Sequence, residues 1–362
     1  MTFPIIKTID DLKPFVEHLP EVRFSTNEHG FTISSVMVNT PTTYIGDHAP
    51  LTRECRGIVF DEHGDLVSRP LHKFFNVGER SDTQEGIIKW DSTARLLEKR
   101  DGSMVHPVMV NKKVILKTKK SFTSDVALIA NKVVSDEVLN FCHDCCVFNL
   151  TPIFEFTSPY NRIVIKYSQP ELVLLHVREN YSGKYLPQED LEYFSKQYKI
   201  PLVESFELQP FENIKKTLNT IENFEGYVFQ FENGEMVKAK SDWYLKRHHL
   251  FTALTERNVA EAVIDETLDD IKSLISSTGE HDLLVKVQDI ESKVTGQIMK
   301  IMLDVQVLYD ENKHLERKDF AVKLSKHNLF GLAMSKFLGK EPSYADFYAK
   351  NYLKQQWDCI TI

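Results

Sequence analysis

The dipeptide Asn233-Gly234 stands between two runs of alternating side chains, residues 227–231 and 236–238. Asn-Gly in that setting is the strongest short-range instruction for an antiparallel hairpin. Two further pairs of runs read the same way: 57–60 with 65–68 across Asp61-Glu-His-Gly64, and 108–110 with 114–116 across Asn111-Lys112-Lys113. Residues 153–157, 163–167 and 172–177 add strand candidates. Residues 123–141 predict a helix with Val126, Ile129, Ala130 and Val133 on one face. A fold built on antiparallel sheet follows.

The texture changes after about Trp243. Val287, Ile290, Val294, Ile298, Ile301, Val305 and Leu308 recur at steps of three and four, the helical period. No proline occurs between Pro210 and Pro342. The expected class is therefore α+β, with an antiparallel-sheet body over residues 1–246 and an all-helical domain over 247–362.

Lys and Arg number 44 against 52 Asp and Glu, a formal charge of −8. That excludes a generally basic nucleic-acid coat and confines any nucleic-acid site to a local basic cluster. No apolar run approaches the ~20 residues of a membrane helix, and the first residues show no leader pattern. The expectation is a cytoplasmic protein without a membrane partner. Five cysteines, Cys55, Cys142, Cys145, Cys146 and Cys359, are an odd number and point to a reducing compartment. Cys142-His-Asp-Cys145 has zinc-ligand spacing but no second half to close a tetrahedral site. A reduced, packed helix end is expected there.

Polar residues set on apolar strands are how a buried reactive site looks in sequence. Five clusters fit: Arg53-Glu-Cys-Arg56-Gly57; Arg69-Pro-Leu-His-Lys73-Phe-Phe-Asn76; Lys99-Arg-Asp-Gly102-Ser103; Lys117-Thr-Lys119 with Phe154-Glu155-Phe156; and Glu225-Gly226 with Lys238-Ala-Lys240. Residues two apart on a strand share a face. Lys238 and Lys240 then point the same way, and the hairpin brings Glu225 beside Lys240; Lys117 and Lys119 repeat the same-face pattern. Two ammonium groups beside a carboxylate suit an anion and a metal. Each cluster alone is weak, because a Lys-x-Lys pair on a strand is most often a solvated outer face.

In order along the chain, Lys99-x-Asp-Gly102, Phe154-Glu-Phe156, Glu225-Gly-Tyr-Val228 and Lys238-x-Lys240 resemble the nucleotidyltransferase motifs of covalent nucleic-acid ligases and capping enzymes. Glu54-Cys-Arg-Gly-Ile58, Lys73-Phe-Phe-Asn76, Asn161-Arg-Ile-Val164, Val177-Arg-Glu-Asn180 and Lys240-Ser-Asp-Trp-Tyr244 are similar to the phage RNA ligase 1 family. The similarity continues at Leu268-Asp-Asp-Ile271 and Leu329-Phe-Gly331. The resemblance implies an ATP-grasp-like ligase domain, with residues 1–80 a family-specific module of it, followed by a helical domain. It implies ATP-dependent joining of 5′-phosphate and 3′-hydroxyl RNA ends through lysyl-AMP and adenylated RNA. It further implies repair of broken tRNA anticodon loops, alongside a polynucleotide kinase/phosphatase, by a monomer in the cytoplasm, the host's if phage-encoded.

By motif match the nucleophile is Lys99. A free lysine amine has a pKa of about 10.4, so it attacks only where neighbouring cations, a metal or desolvation favour the neutral form. The resemblance assigns Lys119, Lys238, Lys240 and Arg56 to that field and to the ATP phosphates. Lys73 goes to phosphate or ribose, Phe75 to packing the nucleotide, and Gly102 to a close backbone approach. Glu155 goes to the ribose, and Glu225 and Asp269 to Mg2+ or Mn2+. Tyr244 matches a tyrosine important in the group, and Val36 stands where an ATP-contacting tyrosine would align. His72, His106 and His176 read as packing residues. A GTP-dependent capping guanylyltransferase is the nearest alternative, but it would carry a nucleic-acid-binding barrel where 247–362 reads as helix. A non-catalytic RNA-binding adaptor would have no use for Lys99, Glu225 and Lys240 together.

Overall fold

A computed structural model of the chain describes residues 3–40 and 42–357, so Cys359 lies outside the described residues. The chain divides into two compact units, Met1–Leu245 and Lys246–Ile362. The strands of the first unit are β1 Val22–Thr26, β2 Thr32–Val36, β3 Arg56–Phe60, β4 Leu66–Ser68, β5 Phe75–Asn76, β6 Thr93–Lys99, β7 Ser103–Val110, β8 Lys113–Thr118, β9 Leu150–Thr157, β10 Glu171–Glu179, β11 Ser205–Phe206, β12 Gly226–Phe231 and β13 Met236–Lys240. They form three sheets, ordered β1-β2-β3-β4, β10-β9-β7-β8 and β11-β6-β12-β13-β5. Only the β13–β5 pair is parallel among the described strands.

The alternation of side chains along these strands decides what each sheet face covers. In the third sheet Leu96, Tyr227, Phe229, Val237 and Ala239 pack against Phe211, Ile214 and Leu218 of the helix Phe211–Thr220. Their neighbours Leu97, Val228 and Met236 turn the other way and meet Ile153 and Val173 of the second sheet. Phe154 and Phe156 of β9 face a separate core with Phe141, Cys142 and Cys145. Both faces of β9 and β12 are thus covered, and the apolar layer between the second and third sheets carries the site.

All three hairpins form where turn chemistry places them. The Asn111-Lys112 turn uses positive φ at both residues (49° and 63°), the backbone of a two-residue hairpin turn. Residues 163–167, expected as a strand, are irregular. The N–H groups of Val164 and Ile165 donate to Asp101 Oδ2 at 2.8 and 2.7 Å, so a carboxylate takes the donors that a ladder would use. The helix expected over 123–141 is two helices, Asp125–Val133 and Asp136–Val147, because Ser135 caps the second by accepting from Val138 N–H. Ala127 and Ala130 are buried there while Val133 is exposed. Cys142 and Cys145 are buried free thiols whose pKa values burial pushes up.

In the second unit the helix His281–Asn312 buries Leu283, Val287, Ile290, Val294, Ile301 and Val305. These include five of the seven positions that the helical period marked; Ile298 and Leu308 are half-buried. Among the described residues no helix is long and apolar enough to cross a membrane.

Candidate active site

Lys99 ends β6, and Gly226 opposite it pairs on its other side with Lys240 of β13. A Cβ on Gly226 would collide with the Ala239 carbonyl, so only glycine lets the two flanking strands close here. Glu225, one residue earlier and 3% exposed, sits between them. Its Oε1 is 2.8 Å from Lys99 Nζ and 3.1 Å from Lys240 Nζ. Lys238 shares the face of Met236, with its ammonium 5.6 Å from the Phe74 ring centre. Burial, reinforced by Lys99, Lys73, Arg56 and Lys240, lowers Lys238 to about 7.

Lys99 and Lys238 rim a cavity of about 240 Å3 between the second and third sheets. Leu97, Val228 and Met236 form one wall, Met104, Leu175 and Val203 help to form the other, and Phe74 and Leu71 close an end. Arg56, Lys99, Gly102, Glu155 and Lys238 also line it. Burial, Lys99 and Glu225 in that order shape Glu155, and the net effect raises its carboxyl to about 8. It is therefore protonated at neutral pH. Two larger clefts, of about 750 and 830 Å3, open elsewhere on the first unit, but none of the residues assigned from the motifs lines them.

The cations form a group. Lys119 is lowered to about 8 by burial and then by Arg56, Lys120 and Lys73. Lys73 is lowered by burial and by Arg56. Arg56, Lys73, Lys119 and Lys238 make no ion pair among the described residues. Such a set of mutually repelling cations is an anion-binding surface.

Several sequence expectations require correction. Val36 is buried with Ile58, Phe60 and Phe75 in the core of the first sheet, and its N–H is spent on the Cys55 carbonyl at 2.8 Å. It does not line the cavity. Phe75 is 4% exposed in that same core. The aromatic residue on the cavity is Phe74, which immediately precedes β5. Phe75 and Lys73 line a neighbouring recess of about 210 Å3, with Lys73 Nζ 4.7 Å from the Phe75 ring centre. Gly102 does line the cavity, and a Cβ there would stand 2.5 Å from the Phe156 carbonyl oxygen, so glycine also serves the approach of the motif turn to β9. Lys117 and Lys119 do not share a working face. Lys117 is fully buried, donating to Gly57 O at 3.3 Å with His106 Nε2 at 3.4 Å, and burial lowers it to about 7.

Asp101 and Tyr244 lock the turn that follows Lys99. Tyr244 is 2% exposed, and its hydroxyl donates to Asp101 Oδ1 at 2.7 Å. Burial, Glu225 and Asp101 push the phenol far above its usual range, so it remains a donor. Lys240 Nζ lies 4.5 Å from the centre of the same ring. Sequence reasoning divides Phe74, Phe75, Phe154 and Phe156 between core and site and gives His176 to packing; a bulge in β10 turns His176 to the cavity.

The donor set does not fit a resident metal. Among the described residues no group of three or more His, Cys, Asp or Glu side chains could share one cation. Glu225 is engaged by two ammonium groups. Asp269 is exposed in the first turn of the helix Leu268–Thr278, within the second unit, where a carboxylate complements the helix dipole.

Residues 54–247 match a family model described as RNA ligase. A provisionally named RNA ligase of Thermovibrio ammonificans is 34% identical over 255 residues, 67% of this chain and 65% of that protein. This chain thus spans about two thirds of that relative's length, slightly less by the matched share. RNA ligase 1 of Bacteriophage TS2126 is 26% identical over 284 residues, 74% of this chain and 68% of the relative. Among solved structures, an archaeal ATP-dependent RNA ligase aligns over 81% of this chain and 79% of its own, at 13% identity and a TM-score of 0.43.

Proposed function

We propose that this chain, which belongs to the RNA ligase family, uses Lys99 to take AMP from ATP and pass it to an RNA 5′-phosphate for sealing to a 3′-hydroxyl. One observation carries the reading. A lysine held by a buried carboxylate stands at the rim of an apolar cavity, near four cations that have no carboxylate partner among the described residues.

Lys99 Nζ attacks the α-phosphorus; an N–P bond forms, the bond to the β-phosphate oxygen breaks, and pyrophosphate leaves. Glu225 Oε1, 2.8 Å from Nζ, is placed to take the amine proton. Arg56, Lys73, Lys119 and Lys238 neutralise the phosphate tail and the charge that grows on it. A cavity of about 240 Å3 is smaller than the ~300–1,000 Å3 of sites enclosing a whole drug-sized ligand. It takes the base and sugar and leaves the tail among the cations at its mouth. Protonated Glu155 can donate a hydrogen bond to a ribose oxygen. The divalent ion of this proposal is the nucleotide's counter-ion and so part of the substrate. Family likeness alone extends the reading to broken tRNA anticodon loops, with a polynucleotide kinase/phosphatase preparing the ends.

The test incubates the chain with ATP labelled in the α-phosphate, then with a single-stranded RNA bearing 5′-phosphate and 3′-hydroxyl ends. Label is expected on the protein, then on the RNA, then in free AMP as sealed product appears. Label that never leaves the protein for RNA overturns the ligase reading.

Tyr244 acts through Asp101 as a positioning residue. Tyr244→Phe removes one hydrogen bond to a buried carboxylate, with an expected stability loss of about 1–3 kcal/mol. Capture of AMP should slow by about tenfold, the rate equivalent of some 1.4 kcal/mol. A wild-type rate of capture in a destabilised variant would leave Tyr244 with a structural role only.

A further inference from the structure

The helix His281–Asn312 of the second unit is apolar on two sides. One side, with Val287, Ile290, Val294, Ile301 and Val305, is buried in the unit's own core. On the other side Met299, Met302, Leu303 and Val307 are each between 44% and 67% exposed. Steps of three and four place these residues on one stripe. A lone exposed apolar side chain is ordinary, but a contiguous group on one helix face marks an interaction surface.

The charges beside the stripe say what covers it. At 100° per residue, Lys293, Lys300, Asp304 and Glu311 fall along the same flank. That flank is basic toward the helix start and acidic toward its end. Lys300, Asp304 and Glu311 enter no ion pair among the described residues, while Lys293 meets Asp289 at 2.6 Å on the open surface. A second copy of this helix, running antiparallel about a dyad at Met302, would present the same flank. Lys300 then stands opposite Asp304 of the copy, two residues to either side of the dyad, and Lys293 opposite Glu311, nine to either side. Each pairing joins opposite charges, and the two-fold repeats it. A parallel copy would set lysine against lysine and acid against acid, which costs free energy.

The same register accounts for Gly296. A glycine inside a helix weakens it relative to alanine, and a Cβ at this one would meet nothing within 4 Å. No neighbour among the described residues therefore requires glycine there. In the antiparallel register Val307 of the copy arrives over Gly296, and the missing side chain lets the two backbones approach.

We propose that the second unit carries a self-association surface, on which Met299, Met302, Leu303 and Val307 of two copies of this chain pack antiparallel with Lys300 of each facing Asp304 of the other. The pairing departs from the monomer that the family resemblance implies, and it is independent of the adenylation chemistry.

The test is sedimentation equilibrium of the full chain from low-micromolar to near-millimolar concentration. Monomer is expected to pass to dimer and to no higher species, because an isologous contact closes on itself. Leu303→Asp puts a carboxylate from each copy at the dyad and should weaken association by about a hundredfold or more. Circular dichroism should find that variant folded, since Leu303 is 67% exposed. Lys300→Glu and Asp304→Lys each set like charges opposite one another and should weaken the dimer by about tenfold at low salt. Combined in one chain, the two changes should restore association to within about threefold of wild type. A chain that stays monomeric across the range overturns the proposal, and so does an association that Leu303→Asp leaves unchanged. Charge swaps without effect, or a combined variant that fails to recover, overturn the antiparallel register.

Discussion

Lys99→Ala is expected to abolish covalent capture of AMP while leaving the chain folded. The side chain is 20% exposed, and its ion-pair partner among the described residues is Glu225. Glu225 keeps Lys240 at 3.1 Å when Lys99 is gone, so truncation orphans no buried charge and removes little packing. The loss should therefore be chemical, by about 10^4-fold or more, as for removal of a nucleophile. Lys99→Arg sharpens the test. It preserves the positive charge and can preserve the pair with Glu225, yet a guanidinium stays protonated and cannot attack phosphorus. Intact-mass measurement after incubation with ATP should find no AMP adduct on either variant. Both should still seal RNA supplied with an already adenylated 5′ end, because that substrate bypasses the lysine. An AMP adduct on Lys99→Ala would move the nucleophile elsewhere.

What could be read from the sequence follows from what periodicity and turn chemistry encode. The hairpins were legible because Asn233-Gly234 and Asn111-Lys112 specify turns, and a turn with alternating flanks determines register. Register then brings Lys99, Gly226 and Lys240 into one row, so the sequence alone pairs Glu225 with Lys240. Alternation says which residues share a face, but not which face meets the cavity. The family resemblance points to Phe75 and Val36 for the nucleotide, yet both lie in the first-sheet core. The bulge in β10 reverses parity within a single apolar run, so nothing in residues 172–177 marks His176 as facing inward. Residues 163–167 look like a strand because apolar spacing is blind to a carboxylate 63 residues away in sequence, Asp101, that takes their backbone donors. The break at Ser135 is a missed signal of another kind: a serine followed by two acidic residues was available as a capping pattern.

Glu54→Gln is expected to cause the largest loss of stability of any single change in the first unit. Arg69 and Arg178 are both fully buried, and Glu54 is the acid between them. Arg178 grips it with two nitrogens at 2.8 Å each, and Arg69 reaches it at 3.1 and 3.0 Å. The remaining donors cross-link distant segments: Arg69 to the carbonyls of Pro4, Asn180 and Tyr181, Arg178 to those of Pro70 and Gly183. The amide keeps the shape but removes the anion that joins the two arginines, leaving both guanidinium groups buried against neutral oxygens among the described residues. Breaking a buried pair in this way costs about 3–5 kcal/mol, which for a chain portion of this size lowers the melting midpoint by about 10 °C. Burial opposes the charge on Glu54, but Arg178 and Arg69 outweigh it and hold the carboxyl well below the usual range. The stabilisation is thus complete above the unfolded-state value of 4.5 and is lost as pH falls below it. Wild type should lose stability in acid more steeply than Glu54→Gln, so the two melting curves converge at low pH. A gap that stays constant with pH would mean that shape rather than charge holds these segments together. Because Arg56 lies two residues beyond Glu54, the same substitution should also weaken the grip on ATP in whatever fraction remains folded.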